Sequence, residues 1–268
     1  MAETDLQAAG LLRAGKLTEA ITAANAAVKQ TPTDLGARVL LAELLLFSGN
    51  LERADIILDA ASQIDPTALI VVSEFRQLLR AETARRQLYR DGRVPEFLGE
   101  PEATERASLA AFVSLRAGDT ANAKAMADQA ETLRPRAPGT AGNTVFDDFR
   151  DADDMLPGFI ETLTTTGKYY WIPLSRIESM AFHPPKRPRD LAWRRCSMSV
   201  LNGPDGDVYI PVTYFAETET TDDAHRLGRA TSWSEDPASP VRGNGQRVFL
   251  MGEEAVGIMD LDVLEFNK

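Results

Sequence analysis

The side chains with the clearest capacity for chemistry lie in an acidic run, Asp147-Asp148-Phe149-Arg150-Asp151-Ala152-Asp153-Asp154. Paired carboxylates can act as acid and base when burial or a neighbouring charge displaces one pKa, so a hydrolase using Asp147 to Asp154 is one alternative. A calcium loop is disfavoured, because Phe149 takes a ligand position and no glycine stands sixth. Carboxylates favour the positive end of a helix, so we expect a helix from Asp147 to Thr165.

Metal-binding and nucleophilic side chains are few and scattered. The chain has two histidines, His183 and His225, and one cysteine, Cys196. A zinc site needs several nitrogen or sulfur ligands, so we predict no metal site. Cys196 stands in the alternating segment Trp193 to Met198, which favours a buried side chain in a strand over a reactive thiolate. Because no phosphate loop or dinucleotide motif is present, we also predict no catalytic residue, no cofactor and no small-molecule substrate.

A proline-rich, locally basic segment runs from Phe182 to Asp190 and contains Lys186, Arg187 and Arg189. In a chain that is otherwise acidic, such a segment could dock to an acidic partner surface. The alternative is a solvated connection between strands. We predict that the three basic side chains are mostly exposed and that they contact a protein partner.

The composition narrows the classes of partner and the compartment. The net charge is −11 and the isoelectric point is near 4.8, which disfavours nucleic acid and anionic membranes as partners. No segment approaches the roughly 20 apolar residues of a membrane span, and the acidic start from Met1 to Asp5 is unlike a signal peptide. A single cysteine fits a reducing compartment. We therefore expect a cytoplasmic protein, and its 268 residues predict two domains.

The elements that must position these residues differ between the two parts of the chain. Residues 1–140 repeat a pattern of glycine, two alanines and proline at the 34-residue period of tetratricopeptide repeats. The matching sets are Gly15, Ala20, Ala27 and Pro32; Gly49, Ala54, Ala61 and Pro66; and Gly118, Ala123, Ala130 and Pro135. Glycine permits the turn between paired helices, alanine lets them approach, and proline ends the second helix.

The repeats predict an α-α superhelix over residues 1–140, with a longer helix from Thr67 to Arg90 and a loop around Pro95 and Pro101. A curved stack of this kind presents a concave face that can capture a peptide or a helix. The negative net charge of the chain favours basic flanks on such a ligand.

Residues 141–268 hold most of the aromatic residues and predict a β-rich domain, built as a small barrel-like or strongly bent sheet. The boundary falls in the proline- and glycine-rich stretch from Pro135 to Gly142. Asn202 to Gly206 has the composition of a hairpin turn, and Glu217 to Gly245 is expected to form a long surface loop. The predicted strands are Lys168–Ile172, Trp193–Val200, Val208–Phe215, Gln246–Met251 and Ala255–Phe266.

Several motifs of the second half are similar to those of the ImpE/SciE family, also called TagJ. They are the acidic run, Gly167-Lys168-Tyr169-Tyr170-Trp171-Ile172-Pro173, His183-Pro184-Pro185 with the basic residues after it, Trp193-Arg194-Arg195, and Asp205-Gly206-x-Val208-Tyr209-Ile210-Pro211. The resemblance implies a non-catalytic accessory protein of a bacterial type VI secretion system. It further implies binding to the N-terminal helix of the small sheath subunit TssB and a link to the sheath-disassembling ATPase ClpV. A generic tetratricopeptide scaffold or chaperone for another partner is the alternative.

Overall fold

The computed structural model describes residues 3–64, 69–216 and 221–267. We refer to residues 1–140 as the helical half and to residues 141–268 as the sheet half. The helices of the helical half are α1 (Glu3–Arg13), α2 (Leu17–Gln30), α3 (Leu35–Phe47), α4 (Leu51–Ile64), α5 (Leu69–Asp91), α6 (Ala103–Arg116) and α7 (Thr120–Leu133). A short helix in the sheet half, α8, spans Asp223–Arg226.

The predicted turns between paired helices are confirmed. Gly15, Gly49 and Gly118 adopt φ angles of 79°, 76° and 78°, a left-handed conformation that glycine reaches without steric strain. The repeated alanines are buried where the helices approach each other: Ala20, Ala27, Ala54, Ala61, Ala123 and Ala130. The long helix predicted from Thr67 to Arg90 is present as α5. Pro66 and Thr67 lie outside the described residues.

The strands are short and begin directly after the last helix of the repeats. They are β1 (Gly139–Ala141), β2 (Thr144–Phe146), β3 (Phe149–Asp151), β4 (Phe159–Leu163), β5 (Tyr169–Pro173), β6 (Ile177–Phe182), β7 (Trp193–Val200), β8 (Gly206–Pro211), β9 (Thr231–Trp233), β10 (Gly243–Gly245), β11 (Val248–Met251), β12 (Glu254–Gly257) and β13 (Val263–Phe266). The predicted hairpin turn joins β7 to β8, and Asn202 takes a φ of 53° there.

The sheet topology is open. Eight strands pair in the order β2-β1-β13-β6-β7-β8-β4-β5, and β3, β11 and β12 form a separate three-stranded sheet. Strands β9 and β10 form a two-stranded ribbon. Among the described residues β2 and β5 are the edges of the large sheet and do not pair with each other, so the barrel-like closure is not confirmed. A sheet-rich second half is confirmed.

The predicted helix from Asp147 to Thr165 is wrong, because this segment forms β3, a pair of turns and β4. All five residues of β4 are buried, which removes the polar alternation by which a strand is recognised in a sequence. The single strand predicted from Ala255 to Phe266 is two strands in different sheets, separated by a turn at Gly257 to Asp260. Strand β6 was not predicted.

The predicted loop from Glu217 to Gly245 is also wrong over part of its length, since it contains α8, β9 and β10. Its first residues, Glu217 to Thr220, lie outside the described residues. Within the described part of the chain, no helix has the length and apolar character needed to cross a membrane.

The larger apolar core extends from the repeat helices into the junction between the two halves. Phe75 of α5 meets Trp193 of β7 edge to face, with ring centroids 5.9 Å apart, and Phe112 of α6 lies 5.7 Å from Trp171 of β5. A second core lies within the sheet half, where Phe149 stacks on Phe249 at 4.9 Å. The two halves therefore share buried aromatic side chains.

Candidate partner-binding site

The basic segment predicted to dock a partner divides into an exposed part and a buried part. Lys186 and Arg187 are exposed to solvent. Arg189 is only 1% exposed, so the prediction that all three side chains are exposed is wrong. Its Nη2 donates to Glu74 Oε1 of α5 at 2.5 Å, and its guanidinium lies 5.1 Å from the centre of the Phe75 ring. Because a 3₁₀ turn over Pro188–Leu191 carries Arg189 against α3 and α5, this side chain joins the two halves.

A buried ionic cluster occupies the side of α5 that faces the sheet. Arg85 of α5 donates from Nε to Glu161 Oε1 of β4 at 3.0 Å. Arg247 also donates to Glu161, and it donates to Asp151 Oδ2 at 2.8 Å. Burial by itself would raise the pKa of Glu161, but the charges of Arg85 and Arg247 together lower it to about 2. The sheet half thus covers α5 here, and this helix face is not the open groove that the repeats suggested.

The acidic run does not form a common site. Asp147 pairs with Arg136, and Asp148 pairs with Arg134. Asp151 is bound by Arg247. The remaining two carboxylates accept backbone N–H groups: Asp153 those of Met155 and Gly243, and Asp154 that of Val241. Each carboxylate has structural contacts of its own. Asp151 and Asp153 are nevertheless neighbours, because Asp151 Oδ1 accepts the backbone N–H of Asp153, and burial together with the charge of Asp151 raises the pKa of Asp153 to about 7.

The structure does bring together three residues of hydrolytic type that the sequence reasoning did not connect. Ser197 on β7 lies 2.9 Å from His183 Nε2 and donates its hydroxyl proton to Asp207 Oδ1 at 2.6 Å. Activation of a serine requires the hydroxyl proton to go to the histidine, with the carboxylate on the other ring nitrogen. Here the serine hydroxyl proton goes to the carboxylate of Asp207 and not to the histidine, so this arrangement does not activate Ser197. Cys196 is buried as predicted, and burial raises the pKa of its thiol to about 12.

An aromatic cleft of about 530 Å³ opens between the two halves. One wall is Tyr89 of α5 and Phe112 of α6, whose ring centroids are 5.1 Å apart. Phe215, in the segment after β8, stacks on Tyr89 at 4.4 Å. Trp233 of β9, which is 37% exposed, also lines the cleft, as does Met155. A cleft with aromatic walls at the junction of two layers is a common form of binding site.

The sequence reasoning missed this cleft because its walls come from four separate segments. No regular spacing in the sequence connects the four aromatic residues Tyr89, Phe112, Phe215 and Trp233. The aromatic enrichment of the second half was the only sequence signal that pointed towards this cleft.

The chain is similar to proteins of known family and structure. A family model described as ImpE protein matches residues 143–265, and a tetratricopeptide repeat model matches residues 11–79. The type VI secretion system accessory component TagJ of Pseudomonas aeruginosa is 34% identical over 258 residues, which cover 96% of this chain and 90% of TagJ. The crystal structure of protein VPA1032 from Vibrio parahaemolyticus superposes with a TM-score of 0.91 at 30% identity, covering 98% of both chains.

The first two of the predicted helical repeats lie within the residues that a repeat model matches, and a separate model matches the sheet half. The likeness to TagJ extends over both halves. This chain therefore belongs to the ImpE/TagJ family of type VI secretion system accessory components.

Proposed function

We propose that this protein is a non-catalytic adaptor that binds the N-terminal helix of the small sheath subunit TssB in the cytoplasm and assists sheath turnover linked to ClpV. The observation that carries the proposal is the aromatic cleft between the helical half and the sheet half. Its walls combine aromatic side chains with polar residues that include Arg116, Asp153 and Arg242, it is open to solvent, and it lies beside the exposed face of α5. Family membership supports the link to the secretion system.

A helix can use such a cleft through a few apolar anchors. Side chains at positions i, i+3 or i+4, and i+7 of an amphipathic helix lie on one face and enter neighbouring pockets. Aromatic side chains at the centre of an interface contribute much of the binding free energy, because they bury a large apolar area at small entropic cost. Trp233 is the exposed aromatic side chain best placed to serve as such a contact.

A non-catalytic role is supported by the positions of the reactive groups. The carboxylates of the acidic run hold separate structural contacts, and the contacts of Ser197, His183 and Asp207 run in an order that does not activate the serine. Lys186 and Arg187 lie on the sheet half and are a second candidate for contact with an acidic partner surface.

Calorimetric titration with the purified small sheath subunit tests the proposal. We expect saturable binding that disappears when the first helix of that subunit is deleted. Trp233→Ala should weaken binding roughly tenfold or more, since it removes an aromatic anchor. Val145→Ala is the matched control, because Val145 is an exposed apolar residue on β2. The affinity of this variant for the small sheath subunit should equal that of the wild type. If a peptide of that first helix, the whole subunit and the assembled sheath all fail to bind, the proposal is wrong. The protein is then better described as a scaffold for another partner.

A further inference from the structure

A second concavity lies beside the aromatic cleft. It is a groove of about 880 Å³ along α5, and its other wall is the turn between α3 and α4 with the start of α4. Residues Leu79 to Asp91 of α5 line it, a length of about 18 Å at 1.5 Å per residue. The groove and the aromatic cleft meet at one contact, where the Arg90 guanidinium lies 5.6 Å from the centre of the Phe215 ring.

The charge of this combined surface is opposite to that of the chain. Five exposed arginines line the groove, the aromatic cleft or both: Arg80, Arg90, Arg93, Arg116 and Arg242. Four carboxylates lie among the same lining residues: the exposed Glu52 and Asp91, the partly exposed Asp55, which pairs with Arg76, and the buried Asp153. The chain as a whole has a net charge of −11. A concentration of arginines on an acidic protein attracts a negatively charged ligand and repels a positively charged one.

We infer that the groove and the aromatic cleft form a single site for an amphipathic helix of about 12 residues or more that carries acidic side chains beside its apolar anchors. The inference rests on the proposed function, and it specifies the chemistry of the bound helix. Apolar anchors enter the aromatic cleft, and carboxylates of the same helix lie along the arginines of α5. The expectation of basic flanks, drawn from the net charge, is reversed at this surface.

The tryptophans provide a probe of the site. Trp171 and Trp193 are 0% and 2% exposed, whereas Trp233, in the wall of the aromatic cleft, is 37% exposed. Acrylamide should therefore quench mainly Trp233 in the free protein. Binding of the small sheath subunit should reduce this quenching, and the same titration of the Trp233→Phe variant measures the background signal.

Charge reversal tests the arginines. The double variant Arg80→Glu, Arg242→Glu changes one exposed arginine of the groove and one of the aromatic cleft. We expect its Kd for the small sheath subunit to rise roughly tenfold, and its affinity to depend less on NaCl between about 0.05 and 0.5 M than that of the wild type. The control variant Lys29→Glu, Arg106→Glu changes two exposed basic residues that line neither the groove nor the aromatic cleft, and its Kd should stay within about twofold of the wild-type value. Circular dichroism checks that both variants are folded.

Different outcomes separate this inference from the proposed function. If the wild type binds but Trp233 remains equally accessible to acrylamide, or the double variant binds as tightly, the inference is overturned and the proposed function stands. A Kd that rises only in the control variant also overturns it, because the partner then binds away from the groove and the aromatic cleft. If the wild-type protein does not bind the small sheath subunit at all, both are overturned.

Discussion

The ion pairs at the two ends of the repeats and the ion pairs at the centre of the sheet half differ in their exposure to solvent. In the helical half, pairs such as Lys16–Glu19 and Lys124–Asp128 lie at the surface. In the sheet half, Arg247 and both of its carboxylate partners are completely buried. Exposed ion pairs contribute little to stability, whereas a buried charge that loses its partner is strongly destabilising. The end helices of the repeats therefore gain little stability from their ion pairs, and the centre of the sheet half depends on a few specific partners.

Helix α5 departs from the pattern of the other repeats. Arg85, one of its buried residues, completes the ionic cluster of the sheet half. Residues of the same helix also line the aromatic cleft and the neighbouring groove. Helix α5 therefore connects the two halves. The candidate binding surface lies along this helix, next to both the apolar repeats and the buried ionic cluster.

The largest expected effect comes from breaking the buried cluster. Arg247→Leu leaves Glu161 and Asp151 without one of their buried partners, so we expect the free energy of unfolding to fall by about 3–5 kcal/mol. Lys16→Met breaks an exposed ion pair of the helical half and should change the free energy of unfolding by less than about 1 kcal/mol. Urea denaturation of both variants measures the contrast. Equal effects would mean that the two halves do not differ in this respect.

A smaller effect is expected from pH at the contact between α3 and the basic segment. Burial raises the pKa of Glu43 from 4.5 to about 7, although the charges of Arg189 and Arg187 partly oppose the rise. Between pH 4.5 and 7 the folded protein keeps a proton that the unfolded chain has released. Stability is therefore lost as the pH rises through this interval, by about 3 kcal/mol for a shift of this size.

The Glu43→Gln variant isolates this contribution. Because glutamine does not titrate, the variant should lose less stability than the wild type between pH 5 and pH 8. Denaturation at both pH values measures the difference. Glu105 and Asp153, whose pKa values burial also raises to about 7, are present in both proteins, so their effect cancels. An unchanged pH dependence in the variant would show that Glu43 is ionised in the fold.

The smallest effect concerns the basic segment itself. Arg189→Ala removes the contact with Glu74 and the packing on Phe75, so we expect a loss of about 1–3 kcal/mol. Arg187→Ala should change stability by no more than about 0.5 kcal/mol, because its side chain is exposed. Thermal unfolding compares the two. If Arg187→Ala destabilises the protein as much as Arg189→Ala, the whole segment is structural and the division between its exposed and buried parts fails.

Local patterns predicted the elements whose residues are neighbours in the chain. The glycine turns and buried alanines of α1 to α4, α6 and α7 follow from one spacing, and the alternation from Trp193 to Val200 matches β7. Strand β4 could not be found in this way, because Glu161 is charged and buried, and its partners Arg85 and Arg247 are 76 and 86 residues away. A charge of this kind looks like a surface residue in the sequence.

The sequence by itself determined the helical repeats, the sheet-rich second half and the family resemblance, because periodic burial and turn chemistry are properties of short segments. Only the tertiary structure decided that Arg189 is buried while Lys186 and Arg187 are exposed, that the sheet half covers part of the repeats, and that the aromatic walls of the cleft meet. These features depend on contacts between segments far apart in the chain. Their free energy comes from desolvation and charge pairing in the fold, which no local spacing encodes.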